Sequence, residues 1–258
     1  LQPGITYHFA LFEYNGGNFY AGSLFLTSNS TPSTPPATAS QSTATTPTIN
    51  TTGINFSNIQ GDRFDLDIDP FDGNGSKEMI IARKGSPVTA VPQDGQSYNA
   101  DNTFGQGEEI APGQFVVYNK LPYYDITLQG LQPSSTYYFK VFEYNQNGSN
   151  TYYLTGTDSN GNPVYEDSQS TLSYPTVNSS SVFYTNKTNT SFTINWTNGD
   201  GSKRILIARE NQPVNVQPQD YNSYGGYENF GYSGAEIGSG NYVVFRGSGN
   251  SVTVTNLS

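Results

Sequence analysis

The sequence predicts an all-β fold of tandem antiparallel sandwiches, each made of two sheets. Apolar residues recur with a period of two, as in Ser191–Trp196, where Phe192, Ile194 and Trp196 share one face of a strand. No segment carries apolar residues at the spacing of an amphipathic helix over three turns. Short strands separated by Asn-Gly, Asp-Gly and Gly-Ser turns, about seven to a repeat, are typical of β-sandwiches.

Five stretches carry the clearest strand patterns. In chain order they are 6–10, 136–144, 191–196, 204–210 and 251–257. The stretch 204–210 is a nearly continuous apolar run and is predicted to be a central strand. The other four alternate apolar and polar residues, so each is expected to turn one face to a core.

The chain repeats itself, and the repeat sets its domain organisation. Gly75-Ser-Lys-Glu-Met-Ile-Ile-Ala-Arg83 returns as Gly201-Ser-Lys-Arg-Ile-Leu-Ile-Ala-Arg209, an offset of 126 with six of nine residues identical. A second block, 131–145, is matched by 1–15, which lies 130 residues earlier. The repeating unit is therefore about 125–130 residues long.

One motif resembles a known family. Leu131-x-Pro133-x-x-x-Tyr137, followed by alternating Phe139 and Val141, is similar to the E–F corner and strand F of fibronectin type III domains, which are immunoglobulin-like sandwiches. In that family a tyrosine hydroxyl bonds back to the backbone and holds the corner. The resemblance extends to the tandem modules of large secreted and cell-surface proteins of Bacteroidota, which include adhesins and filaments.

The resemblance implies further structural positions and two departures. Tyr7 stands at the corner position of the first repeat, and Trp196 matches the core tryptophan of the family. The middle repeat has Pro70 at the tryptophan position, so Phe71 or a neighbour is expected to fill that volume. Each unit also carries about 30 residues more than a usual module of about 100 residues. We expect these in an enlarged loop between strands C and C′.

The repeat phase predicts four segments. They are residues 1–30, the C-terminal strands F and G of a first repeat; 31–46, a Pro/Ser/Thr-rich linker; 47–171, a complete repeat; and 172–258, strands A to E of a third repeat. The linker has no aromatic or charged residue, so it is expected to be extended. The strands absent from the outer units are expected either from adjoining chain or from a neighbouring copy.

Composition excludes most catalytic and binding classes. The 258 residues include no cysteine and one histidine, which excludes disulfides, thiol nucleophiles and Cys- or His-rich metal sites. The net charge is −10 with no basic cluster, so nucleic acid is not an expected partner. No apolar run is long enough for a membrane span. We predict no catalytic residue, no enzyme and no cofactor.

Two groups of charged residues have structural interpretations. Arg83 follows an apolar strand and Glu143 lies in strand F, and these strands are neighbours in the fibronectin type III topology, so a cross-strand pair is expected. Asp65, Asp67 and Asp69 are predicted to line the outer face of one strand. Their mutual repulsion leaves a calcium ion as an alternative to a solvated acidic face.

The stretch 220–234 contains an unusual number of tyrosines. Tyr224 has a counterpart in the middle repeat and is expected to pack the loop onto the sandwich, as is Phe230. Tyr221, Tyr227 and Tyr232 replace non-aromatic residues of the middle repeat. Tyrosines in a Gly/Ser/Asn-rich loop suit stacking on sugars or contact with proteins. They are therefore predicted as ligand-binding residues, with packing of the loop on itself as the alternative.

These observations favour a non-enzymatic structural or adhesive segment of a long extracellular repeat protein, a bacterial surface adhesin or filament. Such a chain would act as a stalk whose loops make weak, multivalent contacts. The expected partners are neighbouring repeats of the same or identical chains and surface glycans or proteins. Two alternatives stay open: spacer modules of a secreted polysaccharide-degrading enzyme, and a filament subunit completed by strands from neighbouring copies.

Overall fold

The computed structural model describes residues 4–15, 24–25, 37–42, 45–68, 73–121, 125–148 and 150–258. These residues form antiparallel strand pairs, and the one helical segment among them is a 3-10 turn at Ser233–Ala235. Within the same ranges no helix has the length and hydropathy to span a bilayer. The chain divides into two compact units, Leu1–Ser173 and Tyr174–Ser258.

The first unit has β1 (Thr6–Leu11), β2 (Tyr14–Asn15), β3 (Leu24–Phe25), β4 (Ala37–Ser42), β5 (Ile54–Ser57), β6 (Arg63–Ile68), β7 (Lys77–Lys84), β8 (Glu109–Ala111), β9 (Gln114–Lys120), β10 (Ile126–Gln129), β11 (Thr136–Asn147), β12 (Asn150–Tyr153) and β13 (Tyr165–Ser170). The second has β14 (Ser180–Thr185), β15 (Phe192–Thr197), β16 (Arg204–Arg209), β17 (Glu236–Gly238), β18 (Asn241–Gly247) and β19 (Ser251–Val254). A long loop separates β7 from β8 in the first unit and β16 from β17 in the second.

Two sheets of the first unit form a complete sandwich. One has the order β10-β6-β5, and the other has the order β8-β9-β7-β11, with β12 and β13 both paired to β11. In fibronectin type III lettering these are E-B-A and C′-C-F-G. Phe64, Leu66, Ile80 and Phe139 are among the buried residues of the core between the sheets. The predicted fibronectin type III-like fold class is confirmed by this strand order.

The enlarged C–C′ loop builds a second core. Strand β7 lies between β9 and β11, and it is apolar on both faces. Ile80 packs into the core between the sheets, whereas Met79 and Ile81 belong to a separate buried cluster. That cluster includes Val88 from the loop 85–108. The loop therefore covers the outer face of the β7 sheet, which explains why this central strand needs no polar face.

The beginning of the chain repeats the last hairpin of the complete sandwich. Strand β1 pairs with β4, with Thr6 opposite Ser42, in the register that places Thr136 opposite Ser170 in β11 and β13. Strands β2 and β3 likewise repeat the register of β11 and β12. The two hairpins therefore share one backbone design.

Strand β4 lies inside the stretch 31–46 that composition predicts to be a linker. An edge strand is held by backbone hydrogen bonds, so it needs no apolar side chains, and composition alone does not reveal it. The sequence signal is Ser-Gln-Ser-Thr at 40–43, which is identical to 168–171. In the complete sandwich the first three residues of that stretch are the end of β13. The limits of the four predicted segments stay predictions.

The second unit contains two three-stranded sheets. Their orders are β14-β15-β19 and β16-β18-β17, which correspond to A-B-E and to C with its C′ hairpin. The core between them is formed by five buried residues, Ile194, Trp196, Val244, Val252 and Val254. The predicted strands at 191–196, 204–210 and 251–257 coincide with β15, β16 and β19 to within a few residues.

Candidate functional site

Two tyrosines form an exposed aromatic surface on the loop between β16 and β17. The rings of Tyr227 and Tyr232 have centroids 4.4 Å apart and planes inclined at 45°. Their side chains stay 45% and 47% exposed. Glycines make room for both rings, since a Cβ at Gly225 would lie 2.9 Å from the Tyr227 ring and one at Gly234 would lie 2.6 Å from the Tyr232 ring.

The third predicted tyrosine, Tyr221, does not join this surface. Its side chain is exposed, and its backbone has a φ of 65°, in the left-handed region. Within residues 150–258 no ring contact links it to Tyr227 or Tyr232. The structure therefore brings together two of the three tyrosines, which we call the Tyr227–Tyr232 surface.

Shared aromatic residues make equivalent contacts in the corresponding loops of both units. The Tyr224 hydroxyl accepts a hydrogen bond from the Gln219 backbone N–H at 3.0 Å, and Tyr98 makes the equivalent contact with Gln93 at 3.0 Å. Phe230 packs edge-on against Tyr242, with 5.2 Å between the ring centroids. The loop path is thus common to both units, and the Tyr227–Tyr232 surface is an addition on one of them.

The acidic face of β6 is already engaged by the protein. Asp65 accepts hydrogen bonds from the Thr127 hydroxyl and the Asn58 amide, both at 2.6 Å, and the Thr127 bond is the main cause of the lowered pKa of Asp65. Asp69 lies outside the described residues. Among the described residues no three acidic or histidine side chains are grouped as metal ligands would be. The calcium alternative stays a prediction.

The tyrosine corner has the hydrogen bond that the resemblance implies. The Tyr137 hydroxyl accepts a hydrogen bond from the Gln132 backbone N–H at 2.9 Å. The ring is fully buried, and burial raises the pKa of its hydroxyl. Tyr7 takes the same place in β1, opposite Gln41, as Tyr137 does in β11, opposite Gln169.

Trp196 is buried in the core of the second unit. Its ring packs against Phe245 with 5.1 Å between the centroids, and its indole N–H donates to the Asn198 side chain at 2.9 Å. The corresponding residues of the middle repeat, Pro70 and Phe71, lie outside the described residues.

The predicted pair of Arg83 and Glu143 is wrong. Strands β7 and β11 are neighbours as expected, but their register places Arg83 opposite Tyr138 and Glu143 opposite Glu78. Arg83 instead donates to the Pro87 backbone carbonyl at 3.0 Å. The two predicted partners stand five residues apart along the ladder, which is beyond the reach of a cross-strand contact.

Glu143 is part of a buried pair of carboxyl groups that the sequence analysis missed. Glu78 and Glu143 are each 1% exposed. Glu143 Oε2 accepts a hydrogen bond from the Gly75 backbone N–H at 2.9 Å. A Cβ on Gly73 would overlap the Glu143 carboxyl, so a larger residue there would displace this carboxyl group. The pair therefore closes one end of the core between the sheets.

Burial keeps this carboxyl pair protonated well above the usual range. Burial raises the pKa of Glu78 to about 7. Burial and the neighbouring Glu78 carboxyl together raise the pKa of Glu143 to about 8. Two negative charges on these directly opposed residues would repel strongly in a low dielectric, so the pair holds at least one proton near neutral pH.

The second unit has an arginine at the position of Glu78. The offset of 126 aligns Glu78 with Arg204, the one reversal of charge in the repeated Gly-Ser-Lys block. Its guanidinium donates to the carbonyls of Gly199 at 2.9 Å, Gly201 at 2.6 Å and Ser248 at 3.2 Å. Its Nε is buried and has no hydrogen-bond partner. That charge reversal is the sequence signal that would have drawn attention to this position.

The chain was compared with protein-family models, curated protein sequences and solved structures. No family model and no curated protein sequence matches this chain. Among solved structures, a segment of two fibronectin type III domains from chicken tenascin is similar over 81% of this chain and 83% of its own, with 12% identity and a TM-score of 0.28.

Proposed function

We propose that this chain is a non-enzymatic structural and adhesive segment of a long extracellular repeat protein, a bacterial surface adhesin or filament. Its sandwiches act as a stalk, and the Tyr227–Tyr232 surface makes weak contacts with surface glycans. The observation that carries the proposal is this exposed ring pair, added to a loop whose path is otherwise shared by both repeats.

The chemistry of the surface supports a sugar ligand. Tyrosine rings offer flat apolar faces, and their hydroxyls can bond to the polar edge of a sugar ring. The two rings pack against each other, so less side-chain freedom is lost on binding than for two separate rings. A single site of this size binds weakly, but repeated copies along a stalk raise the effective concentration and therefore the avidity.

Affinity electrophoresis tests the proposal directly. The chain is run in native gels that contain soluble β-glucan, xylan, galactomannan or α-mannan. At least one polysaccharide should retard the wild-type chain, and the double variant Tyr227→Ala, Tyr232→Ala should migrate as it does without polysaccharide. Tyr184→Ala is the matched control, because Tyr184 is an exposed tyrosine on β14.

Two results would contradict a glycan-binding function. One is unretarded migration of the wild-type chain in every gel. The other is equal retardation of the wild-type chain and the double variant, since binding would then occur elsewhere. Circular dichroism of the double variant checks that its sandwiches are intact.

A further inference from the structure

The turn before β7 places an Asn-Gly pair beside the buried carboxyl groups. It has the sequence Gly73-Asn-Gly-Ser76, and the Gly75 backbone N–H donates to Glu143 Oε2 at 2.9 Å. An asparagine followed by glycine can close a five-membered ring on itself, because the next backbone nitrogen can attack the side-chain amide and glycine has no Cβ to hinder it. That nitrogen must lose its proton during the attack, and here its N–H points at a carboxyl oxygen that can take the proton.

The oxygen of the same asparagine side chain is held by the backbone of the preceding segment. Asn74 Oδ1 accepts hydrogen bonds from two consecutive N–H groups, those of Thr48 at 2.9 Å and Ile49 at 3.0 Å. Two backbone N–H groups on one carbonyl oxygen are the arrangement of an oxyanion hole. They would stabilise the negative charge that forms on this oxygen when the carbonyl carbon is attacked.

The nitrogen of this side chain lies beside a hydroxyl group. Asn74 Nδ2 donates a hydrogen bond to Thr48 Oγ1 at 2.9 Å. An amide nitrogen leaves as ammonia only when it gains a proton, and a hydroxyl group at this distance can rotate to supply one. A base, two oxyanion donors and a proton donor therefore surround one Asn-Gly pair.

The second unit has an aspartate at the same position. The offset of 126 aligns Asn74 with Asp200. The Asp200 carboxylate accepts bonds from the Thr176 hydroxyl at 2.7 Å and from the backbone N–H groups of Thr176 and Val177 at 3.0 Å. These bonds, that of the hydroxyl above all, lower the pKa of Asp200 to about 2. The contacts that hold the amide in the first unit thus also suit a carboxylate.

We propose that Asn74 is a self-modification site that loses ammonia and becomes an aspartyl residue, with Glu143 as the base. The Glu143 carboxylate takes the Gly75 N–H proton, and the Gly75 nitrogen forms a bond to Asn74 Cγ. The Cγ–Nδ2 bond breaks, and the Thr48 hydroxyl gives the leaving nitrogen a proton, so that it departs as ammonia. Glu143 then returns its proton to water, and the hydroxyl regains one from water.

Water completes the reaction. It opens the succinimide ring at Cγ to give aspartate, or at the main-chain carbonyl to give isoaspartate, and in either case a backbone N–H is restored. The sum is one water consumed and one ammonia released, with no oxidation or reduction. Each chain reacts once, and the reaction is independent of glycan binding at the Tyr227–Tyr232 surface.

Peptide mass spectrometry of the 258-residue chain tests the site. The freshly purified chain is incubated at mildly alkaline pH in water labelled with heavy oxygen. Asn74 should gain one heavy oxygen atom as it loses ammonia, about 100-fold faster than Asn160. Asn160 also precedes a glycine, but the Gly161 N–H donates to the Asp158 backbone carbonyl at 3.1 Å, which cannot serve as a base. Conversion of Asn74 before purification, with Asn160 intact, would equally support the proposal. An unchanged Asn74, or equal rates at the two sites, would overturn it.

Glu143→Gln separates base catalysis from the reactivity of the turn itself. Glutamine can still accept the Gly75 N–H but cannot take its proton, so conversion of Asn74 should slow by about 100-fold. Glu166→Gln is the matched control, since it removes a surface carboxyl group bridged to Lys140 and should leave the rate unchanged. Equal rates in wild type and Glu143→Gln would refute the role of the base.

Two further variants keep the proposal testable if Glu143→Gln fails to fold. Thr48→Val removes the hydroxyl from a side chain of similar shape and should slow conversion by about 10-fold or more, whereas Thr48→Ser should keep the wild-type rate. Burial and the Glu78 carboxyl that faces it raise the pKa of Glu143 to about 8. Glu78→Gln removes the second cause, so conversion should reach its full rate at a lower pH than in wild type. An unchanged rate in Thr48→Val, or an unmoved pH profile in Glu78→Gln, would overturn the proposed reaction.

Discussion

Replacing Glu78 by glutamine should make the complete sandwich less sensitive to alkaline pH. Below the usual carboxyl pKa, Glu78 and Glu143 are protonated in both the folded and unfolded chain, so the free energy of unfolding has its full value. As the pH rises further, the unfolded chain releases these protons while the folded chain retains them. Unfolding is therefore favoured progressively until the pH passes the raised folded pKa values.

The structure sets the size of this effect. Each tenfold difference in proton affinity corresponds to about 1.4 kcal/mol. A rise in the pKa of Glu78 from 4.5 to about 7 thus lowers the free energy of unfolding by ~3 kcal/mol between acidic and mildly alkaline solution. Glu143, with a pKa raised to about 8, acts in the same direction. The glutamine variant should regain a loss of this order at about pH 8 and differ by about 1 kcal/mol or less at about pH 4.

Hydrogen exchange measured by mass spectrometry can follow the two units separately. Peptides from β7 and β11 report opening of the complete sandwich, and peptides from β18 provide an internal control in the same molecule. Glu166→Gln is the matched variant, since it removes a carboxyl group bridged to Lys140 at the surface. The reasoning would be refuted if Glu78→Gln and wild type lost β7 protection equally with rising pH, after correction for intrinsic exchange rates.

Three further changes have defined outcomes. Tyr137→Phe removes the acceptor for the Gln132 N–H and should destabilise the complete sandwich by about 1–3 kcal/mol in urea denaturation. Gly107→Ala should destabilise it by a similar ~1–3 kcal/mol, because the added Cβ would overlap the Val116 carbonyl oxygen. Calcium should leave the melting temperature in scanning calorimetry unchanged, because Asp65 already accepts two hydrogen bonds through its carboxyl oxygens.

Each of these three predictions has a control that separates the proposed cause from a general loss of stability. Tyr138→Phe changes the next residue on the same strand and should have less effect than Tyr137→Phe. Gly156→Ala adds a methyl group where no atom lies within 4 Å and should be nearly neutral. For calcium, the comparison is the chelator-treated chain, and a rise in melting temperature on adding the ion would show that a site exists.

The sequence was sufficient for the strands that have an apolar face, because alternation of apolar residues reflects the two faces of a sheet. The repeated blocks also identified loop residues that are shared: Tyr224 accepts the same hydrogen bond as its counterpart Tyr98, and Phe230 packs against Tyr242. The tyrosine corner was expected from the resemblance to fibronectin type III domains, which rests on a spacing that is local in the chain. Features that depend on short stretches of sequence were thus predictable.

The register between distant strands was not predictable from the sequence. Knowing that β7 and β11 are neighbours leaves their displacement along the strand open, and the expected Arg83–Glu143 pair required a displacement of five residues from the observed register. The carboxyl pair was missed for the same reason. A glutamate within an apolar strand gives no sign that another glutamate faces it.

The same register gives meaning to the one charge reversal within the repeated Gly-Ser-Lys block, from Glu78 to Arg204. Chains of similar repeats risk pairing a strand with the wrong copy, because every strand F fits every strand C in shape. A buried residue of strand C that faces the Glu of strand F can make one of these pairings more stable than another. Glu78 in that position makes a carboxyl pair that is weakened as the pH rises, whereas Arg204 there supplies a charge opposite to that of a carboxylate. A single side chain can therefore distinguish strands that are otherwise interchangeable in shape.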